Sequence, residues 1–458
     1  MKKLNYDIVY FIGIGGIGMS ALARWFNAGK HHVLGYDKTP SELTTTLQEE
    51  GIMVHFEDNT KFIPESATIE NTLVIYTPAV PKEHNELTWF RQNGFTVKKR
   101  AEVLGEISRA YFTVAVAGTH GKTTTSSMVA HLLRSAGVDV TAFIGGIAAN
   151  FNSNLLIGKT DKAIAVVEAD EFDRSFLQLS SNIAIITSAD ADHLDIYGNA
   201  NALKNTFKEF IDKLHDDGKL LVSQKANEKL VVNDALIYGM EGRSVNASNV
   251  HIHKGAFRFD FADKDHSIDA LELHMPGFHN VENALAAIEV ALLLGVSPEQ
   301  IKEGVASYKG VKRRFEFIFK SSDKVYIDDY AHHPEEIRAF IRSAKAMYPE
   351  RKLTVIFQPH LYSRTNDFAA GFAEALDEAD EVWLMDIYPA RELPMEGVNA
   401  ELILNQMQLV NKRKVAREEV VDLLDKVGFE VAATVGAGDI DRLVLEIKEM
   451  LLNKYSHA

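Results

Sequence analysis

Short apolar runs that end in glycine or a polar cluster recur along this chain and alternate with helical patterns. "DIVYFIGIGG", "HHVLGYD" and "TLVIYTPAV" come first, then "YFTVAVAGTHGKT", "AIAVVEADE" and "NIAIITSADADHLD". A third set is "KVYIDDYAHHPEEIRAFI", "KLTVIFQPH", "EVWLMDIYPARE" and "FEVAATVGAGDIDRL". Strand-like runs separated by amphipathic helices predict parallel sheets with crossover helices. Near "RSVNASNVHIHKGAFRFDFADKDHSIDALELHMPG" the alternation becomes period two, which predicts a small extra antiparallel sheet on the middle block. The expected fold is therefore α/β, with three blocks at 1–108, 109–319 and 320–458, each a mainly parallel sheet wound with helices. Ligands of such sheets bind beyond the carboxyl ends of the strands, so the polar residues after each apolar run are the ones that matter.

Composition narrows the function. The 458 residues are 46% hydrophobic and 25% charged, the balance of a globular protein. A net charge of −15 argues against a nucleic acid partner, though not against nucleotides, which backbone N–H groups bind whatever the total charge. There are no cysteines, which excludes disulfides, thiolate metal sites and a thiol nucleophile. The N-terminal apolar run is short and glycine-rich and reads as a first strand rather than a signal peptide. No stretch reaches the ~20 apolar residues of a membrane span, so a cytoplasmic protein with no membrane partner is expected.

"FIGIGGIGMSALA" places Gly13, Gly15 and Gly18, with Gly16 between them, after a strand and at the start of a helix. Asp37 ends the next strand in "VLGYDKTP". Together these make the dinucleotide fingerprint, in which backbone approaches a diphosphate and the acid holds a ribose hydroxyl. Alone it suggests a nicotinamide-dependent oxidoreductase, but a UDP-sugar presents the same groups.

The second loop, "AGTHGKTTTS", is a Walker A loop two residues short, with Val116 standing where the usual first glycine belongs. Strand, loop and helix are nevertheless in place. Gly118, Thr119, His120 and Gly121 offer backbone to phosphate, Lys122 a cation to the β- and γ-phosphates, and Thr123 a hydroxyl to Mg²⁺, with Thr124 following. A carboxylate at the end of a neighbouring strand must complete a metal site. Glu168 stands first after "AIAVV", ahead of Asp170, Glu171 and Asp173, some of which could merely cap the next helix. "SADADHLDIYG" adds Asp190, Asp192, His193 and Asp195, and His193 is the candidate ligand of a second metal. Asn280 and Asn283 lie three apart on one helix face, where amides read an adenine edge, although Asn280 also suits a cap. Arg313 and Arg314 fall between the second and third blocks, where an arginine can reach a transferring phosphoryl group.

Taken in order, "GIGGIGMSALA", "AGTHGKTTT", "EADEFDRSFL", "DHLDIYG", "HNVENALAAI", "RRFE", "DDYAHHPEE", "FQPHLYSRT" and "YPARE" resemble the Mur ligase family over essentially the whole chain. The resemblance implies a Rossmann-like N-terminal domain for a UDP-substrate, a central ATPase domain and a Rossmann-like C-terminal domain that receives an amino acid. It implies ATP-dependent ligation of L-alanine to UDP-N-acetylmuramate, with small-molecule partners only, in a monomer or homodimer. By motif match, Lys122, Glu168, His193, Arg314 and His332 are the expected catalytic residues, and Thr123, Glu168 and His193 the metal ligands. Asn280, Asn283, Arg314 and Asp329 join the phosphate loop around ATP; Gly13, Gly15, Gly16, Gly18, Asp37 and Thr77 take the UDP-substrate; His332, His333 and Arg364 take the amino acid. Leu361 departs from the family, which often has arginine there, and Lys208 lies near a lysine that some relatives carbamylate. A tripeptide-adding ligase, the oxidoreductase and a non-catalytic nucleotide-binding regulator remain alternatives at this point.

Overall fold

The computed structural model describes residues 6–190, 197, 199–240, 243–390 and 392–455. The chain forms two compact units, one mainly of residues up to Lys309 and the other mainly of residues from Gly310 onward. No helix among the described residues is long and apolar enough to cross a membrane.

The first sheet contains β1 (Ile8–Ile12), β2 (His32–Tyr36), β3 (Met53–His55), β4 (Thr72–Tyr76) and β5 (Thr96–Lys99), in the order β3-β2-β1-β4-β5. Every pairing in it is parallel. The pattern-based reading finds β1, β2 and β4, which are mostly buried, and misses β3 and β5, whose residues are exposed or only partly buried.

The central sheet has ten strands. They are β6 (Phe112–Ala117), β7 (Val140–Ala148), β8 (Ser153–Leu156), β9 (Ile164–Ala169), β10 (Ser181–Ile186), β11 (Leu214–Ser223), β12 (Leu236–Met240), β13 (Val245–His253), β14 (Ala256–Ala262) and β15 (Ser267–Leu273). Their order is β15-β14-β13-β12-β11-β10-β6-β9-β7-β8. The period-two segment thus extends the central sheet through β13, β14 and β15. Phosphate-loop strand β6 lies between β9 and β10, so both acid-bearing strand ends flank the loop.

The third sheet holds β16 (Glu316–Lys320), β17 (Val325–Asp329), β18 (Leu353–Phe357), β19 (Glu381–Leu384), β20 (Lys412–Lys414) and β21 (Val431–Val435). Their order is β16-β17-β21-β18-β19-β20, parallel except where β16 meets β17. Edge strands β16 and β20 are absent from the pattern-based reading: β20 has no apolar residue, and the short Phe317–Phe319 run of β16 is only partly buried.

Within the first unit the first and central sheets share one hydrophobic cluster, from Val9 and Phe11 through Trp25 to Ala115, Phe143 and Val167. The helix Ile17–Ala28, which follows the first glycine loop, packs on the central sheet: the Trp25 and Phe143 rings are 6.4 Å apart. Arg24 donates to Asn154 Oδ1 at 2.5 Å, and Asn154 donates back to Ile17 O at 2.6 Å and Ser20 Oγ at 2.9 Å. Asn154 is fully buried, so these bonds satisfy an amide that would otherwise be costly to bury.

Candidate functional site

Strand β6 delivers the backbone into a turn in which Gly118 and Gly121 have φ of 134° and 83°, and the helix Lys122–Ser135 begins at once. Lys122 Nζ donates to Gly118 O at 2.6 Å and to both oxygens of Glu171, at 2.8 and 3.1 Å. The Glu171 side chain is wholly buried. Burial opposes the charge on Lys122, but Glu171, Asp170 and Glu168 outweigh it and hold the ammonium above its ordinary range. The lysine is therefore a fixed cation at the mouth of the loop. Its partner Glu171 is one of the acids that could have capped a helix; it pairs with the loop lysine instead.

Glu168 is the last residue but one of β9, level with Val116 of β6. Its Oε1 accepts from Thr123 Oγ1 at 3.1 Å and its Oε2 from the Gly145 N–H at 2.9 Å. A Cβ at Gly145 would stand 2.4 Å from Glu168 Oε2, so only glycine leaves room for this carboxylate. Thr123 and Glu168 thus bring two hard oxygen donors together, the donor type Mg²⁺ takes. Among the described residues no three histidine or acidic side chains converge as a metal cage. The residues fit a cation held by one or two protein oxygens with the rest of its shell from water and phosphate, which is the usual Mg²⁺ arrangement. His193, with Asp192 and Asp195, lies outside the described residues.

The end of β10 braces the loop, a role the sequence reading gave to no residue. Ser188 Oγ lies 2.9 Å from Thr119 Oγ1 and accepts from the His120 N–H at 2.6 Å, and the Thr187 hydroxyl donates to His120 O. These two hydroxyls open the "TSADAD" segment, whose acids drew attention first. Asn283 accepts from Thr125 Oγ1 at 3.1 Å and stands against Gly121, beside the phosphate loop. Thr124 is buried, its carbonyl accepting from the Tyr308 hydroxyl at 3.3 Å.

The first glycine loop faces the same region. A cavity of about 270 Å³ is lined by Gly16, Gly18 and Thr77 on one side and Gly145, Glu168 and Asp170 on the other. Asp37 Oδ2 accepts from the Gly15 N–H at 2.7 Å, so the acid of the fingerprint braces its own loop, while Gly13 turns beside Thr77 with φ of 89°.

In the second unit the two neighbouring arginines differ. Arg313 is tied down by Asp328 at 3.0 Å, Asp441 at 3.3 Å and the Gly436 carbonyl at 2.7 Å. Arg314 has a looser setting, 3.9 Å from Glu336 and over the Tyr330 ring. Asp329 accepts from the Phe315 N–H at 2.6 Å and the Ala331 N–H at 2.7 Å; burial pushes its carboxyl up to about 6 against the pull of Arg314. His332 Nδ1 is 2.9 Å from Tyr330 O and 3.4 Å from Glu336. His333 is buried as the cap of the helix Pro334–Met347, its Nδ1 accepting from the Glu335 N–H, so its visible job is structural. Asn280 donates to Pro276 O at 2.5 Å, fastening the turn that starts its helix. Arg364 is buried near the start of the helix Tyr362–Leu376. Leu361, just before that helix, has φ of 70°, a strained value for a leucine.

Three family profiles match the chain: "Mur ligase family, catalytic domain" at 8–112, "Mur ligase middle domain" at 116–291 and "Mur ligase, glutamate ligase domain" at 313–440. A UDP-N-acetylmuramate–L-alanine ligase of Flavobacterium psychrophilum is 52% identical over 446 residues, covering 97% of this chain and 98% of its own. A protein of the same name from Parabacteroides distasonis is 49% identical over 448 residues, covering 97% of each. Among solved structures, UDP-N-acetylmuramate-alanine ligase of Thermotoga maritima superposes with a TM-score of 0.82 at 29% identity, over 97% of this chain and 99% of its own.

Proposed function

The chain belongs to the Mur ligase family, and from that premise we propose that it joins L-alanine to the lactyl carboxylate of UDP-N-acetylmuramate at the expense of ATP. The observation that carries the reading is the shared cavity: first-loop Gly16 and Gly18 open onto the carboxylate that Thr123 holds beside the phosphate loop. An acid anchored by its diphosphate at the first loop can then meet a nucleotide anchored at the second.

The chemistry follows from what a carboxylate cannot do. Oxide is a poor leaving group, so a lactyl oxygen first attacks the γ-phosphorus of ATP. The bond from that phosphorus to the β–γ bridging oxygen breaks, and ADP leaves. The amine of L-alanine attacks the resulting acyl phosphate and loses a proton; the carbon–oxygen bond to phosphate breaks, leaving the amide. Lys122, a half-buried cation fixed by Glu171, neutralises charge shared between the phosphoryl group and the attacking oxygen. Thr123 and Glu168 would hold Mg²⁺, which supplies Lewis-acid neutralisation of the same oxygens. Asn283 meets the nucleotide beside Gly121, and Gly118 through Thr124 supply the remaining loop contacts. Asp37 and Thr77 take the UDP moiety.

Residues of the second unit complete the reading: Arg314 toward the phosphoryl group, Asp329 and Asn280 toward the nucleoside, His332 toward the amine proton and Arg364 toward the L-alanine carboxylate. The same reading assigns residues 1–108, 109–319 and 320–458 to the UDP-substrate, ATP and amino acid, in a cytoplasmic monomer or homodimer. Phosphate release from ATP is the test. It should require UDP-N-acetylmuramate and L-alanine together, and a muramyl-type tripeptide should not replace L-alanine. Release that needs neither, or only the tripeptide, would sink the assignment.

A further inference from the structure

Glu171 sits in a turn that is held against its own strain. Asp173 and Arg174, just beyond it, have φ of 53° and 55°, left-handed values that side chains rarely adopt. Two such residues in a row persist only where their surroundings fix them. Here the Glu171 carbonyl accepts from the Tyr197 hydroxyl at 2.5 Å and from the Arg174 N–H at 3.0 Å. Asp173 pairs with Lys99 at 2.7 Å, and Arg174 with Glu209 at 2.8 Å. The turn leaves Asp170 lining the cavity and sends the Glu171 carboxylate, wholly buried, to the phosphate-loop lysine.

An ammonium has three N–H donors. Those of Lys122 face Gly118 O at 2.6 Å and the two Glu171 oxygens at 2.8 and 3.1 Å, with Thr119 O further off at 3.4 Å. To meet a phosphate the lysine must surrender a partner. Surrendering Glu171 would strand a buried charge, whereas surrendering a backbone carbonyl loses one ordinary hydrogen bond. The carbonyl is the smaller loss.

We propose that Glu171 is a positioning residue: it stays on Lys122 throughout turnover and aims the N–H freed from Gly118 at the phosphoryl group. The inference rests on the function proposed above and adds the residue, and the strained turn, that set where its cation stands.

Phosphate release by the whole protein, with ATP and UDP-N-acetylmuramate varied in turn, tests it. Glu171→Gln keeps the size but offers one acceptor oxygen and no charge. It should lower kcat/KM for ATP at least about tenfold and leave KM for UDP-N-acetylmuramate unchanged. Glu171→Asp keeps the charge, and with it the buried pair, but draws it back by one methylene; it should be slowed as well. On a Lys122→Met background neither substitution should slow release further, because residues that act as a unit are not additive. A further tenfold loss on that background would show Glu171 acting on its own and overturn the proposal, and so would wild-type rates in Glu171→Gln or Glu171→Asp. Faster release in Glu171→Gln would make the carboxylate a brake on the lysine, and a raised KM for UDP-N-acetylmuramate would make its role structural; either result ends the inference and leaves the ligase reading intact. A wild type whose release does not depend on UDP-N-acetylmuramate and L-alanine ends both.

Discussion

Removing Lys122 tests two things at once, and the structure shows how to separate them. Glu171 is wholly buried and takes two bonds from the lysine, at 2.8 and 3.1 Å. Lys122→Met therefore deletes a phosphate ligand and also leaves a buried carboxylate without its cation. Breaking a buried pair from one side costs about 3–5 kcal/mol. Adding Glu171→Gln removes the stranded charge, and the double variant should sit within about 1–2 kcal/mol of wild type, because pairs replaced on both sides are often close to neutral. Urea unfolding followed by fluorescence of Trp25 and Trp89 reports on this unit. Turnover should not follow stability: both variants should release phosphate at least ~10²-fold more slowly, since neither has the cation. The reasoning is refuted if Lys122→Met alone stays within about 0.5 kcal/mol of wild type, or if the double variant is less stable than the single.

Three further outcomes are expected. Gly145→Ala should displace Glu168, which its new methyl would meet at 2.4 Å, and cut turnover ~10²-fold with a raised Mg²⁺ requirement in phosphate-release assays. Asp37→Ala should weaken UDP-N-acetylmuramate about tenfold, because the Gly15 N–H loses its brace, while ADP binding measured by calorimetry stays unchanged. Glu289 gives a pH signature: burial, with Asp263 beside it, pushes its carboxyl up to about 7. The folded state then binds the extra proton between the ordinary carboxylate range and that value, so its contribution is complete below this window and lost as pH rises through it. Asp263 is held below its ordinary range, its bonds to His266 and to backbone outweighing burial, and titrates under the window. Between pH 5 and pH 8 the wild type should lose up to about 3 kcal/mol that Glu289→Gln does not. Identical slopes in the two proteins would refute the link.

Much of this was readable in the chain because the strands that matter are buried on both faces. β1, β6 and β9 are nearly continuous apolar runs, and the candidate site residues Gly13, Gly118 and Glu168 stand at or just beyond their carboxyl ends. Glu168 could be singled out among its neighbours because it stands first after such a run, and it accepts from Thr123. Spacing could not tell which remaining acid pairs with Lys122: the backbone after β9 passes through left-handed values at Asp173 and Arg174, so no periodic template orients it. Nor could it reveal Ser188 and Thr187, whose hydroxyls matter only because β10 happens to neighbour β6. Arg313 and Arg314 look alike in sequence; only the β17 and β21 partners of Arg313 tell them apart.

The shared cluster beneath the first and central sheets has a consequence for selectivity. Because Trp25, Asn154 and Arg24 bolt the first-loop helix to the strands beside the second loop, the separation between the two phosphate grips is built in. It works as a gauge. If the first loop holds the nucleotide-sugar as proposed, an acid one carbon longer or shorter in its side arm should bind as firmly as the natural one and yet turn over poorly, because its oxygen would be out of step with the phosphorus.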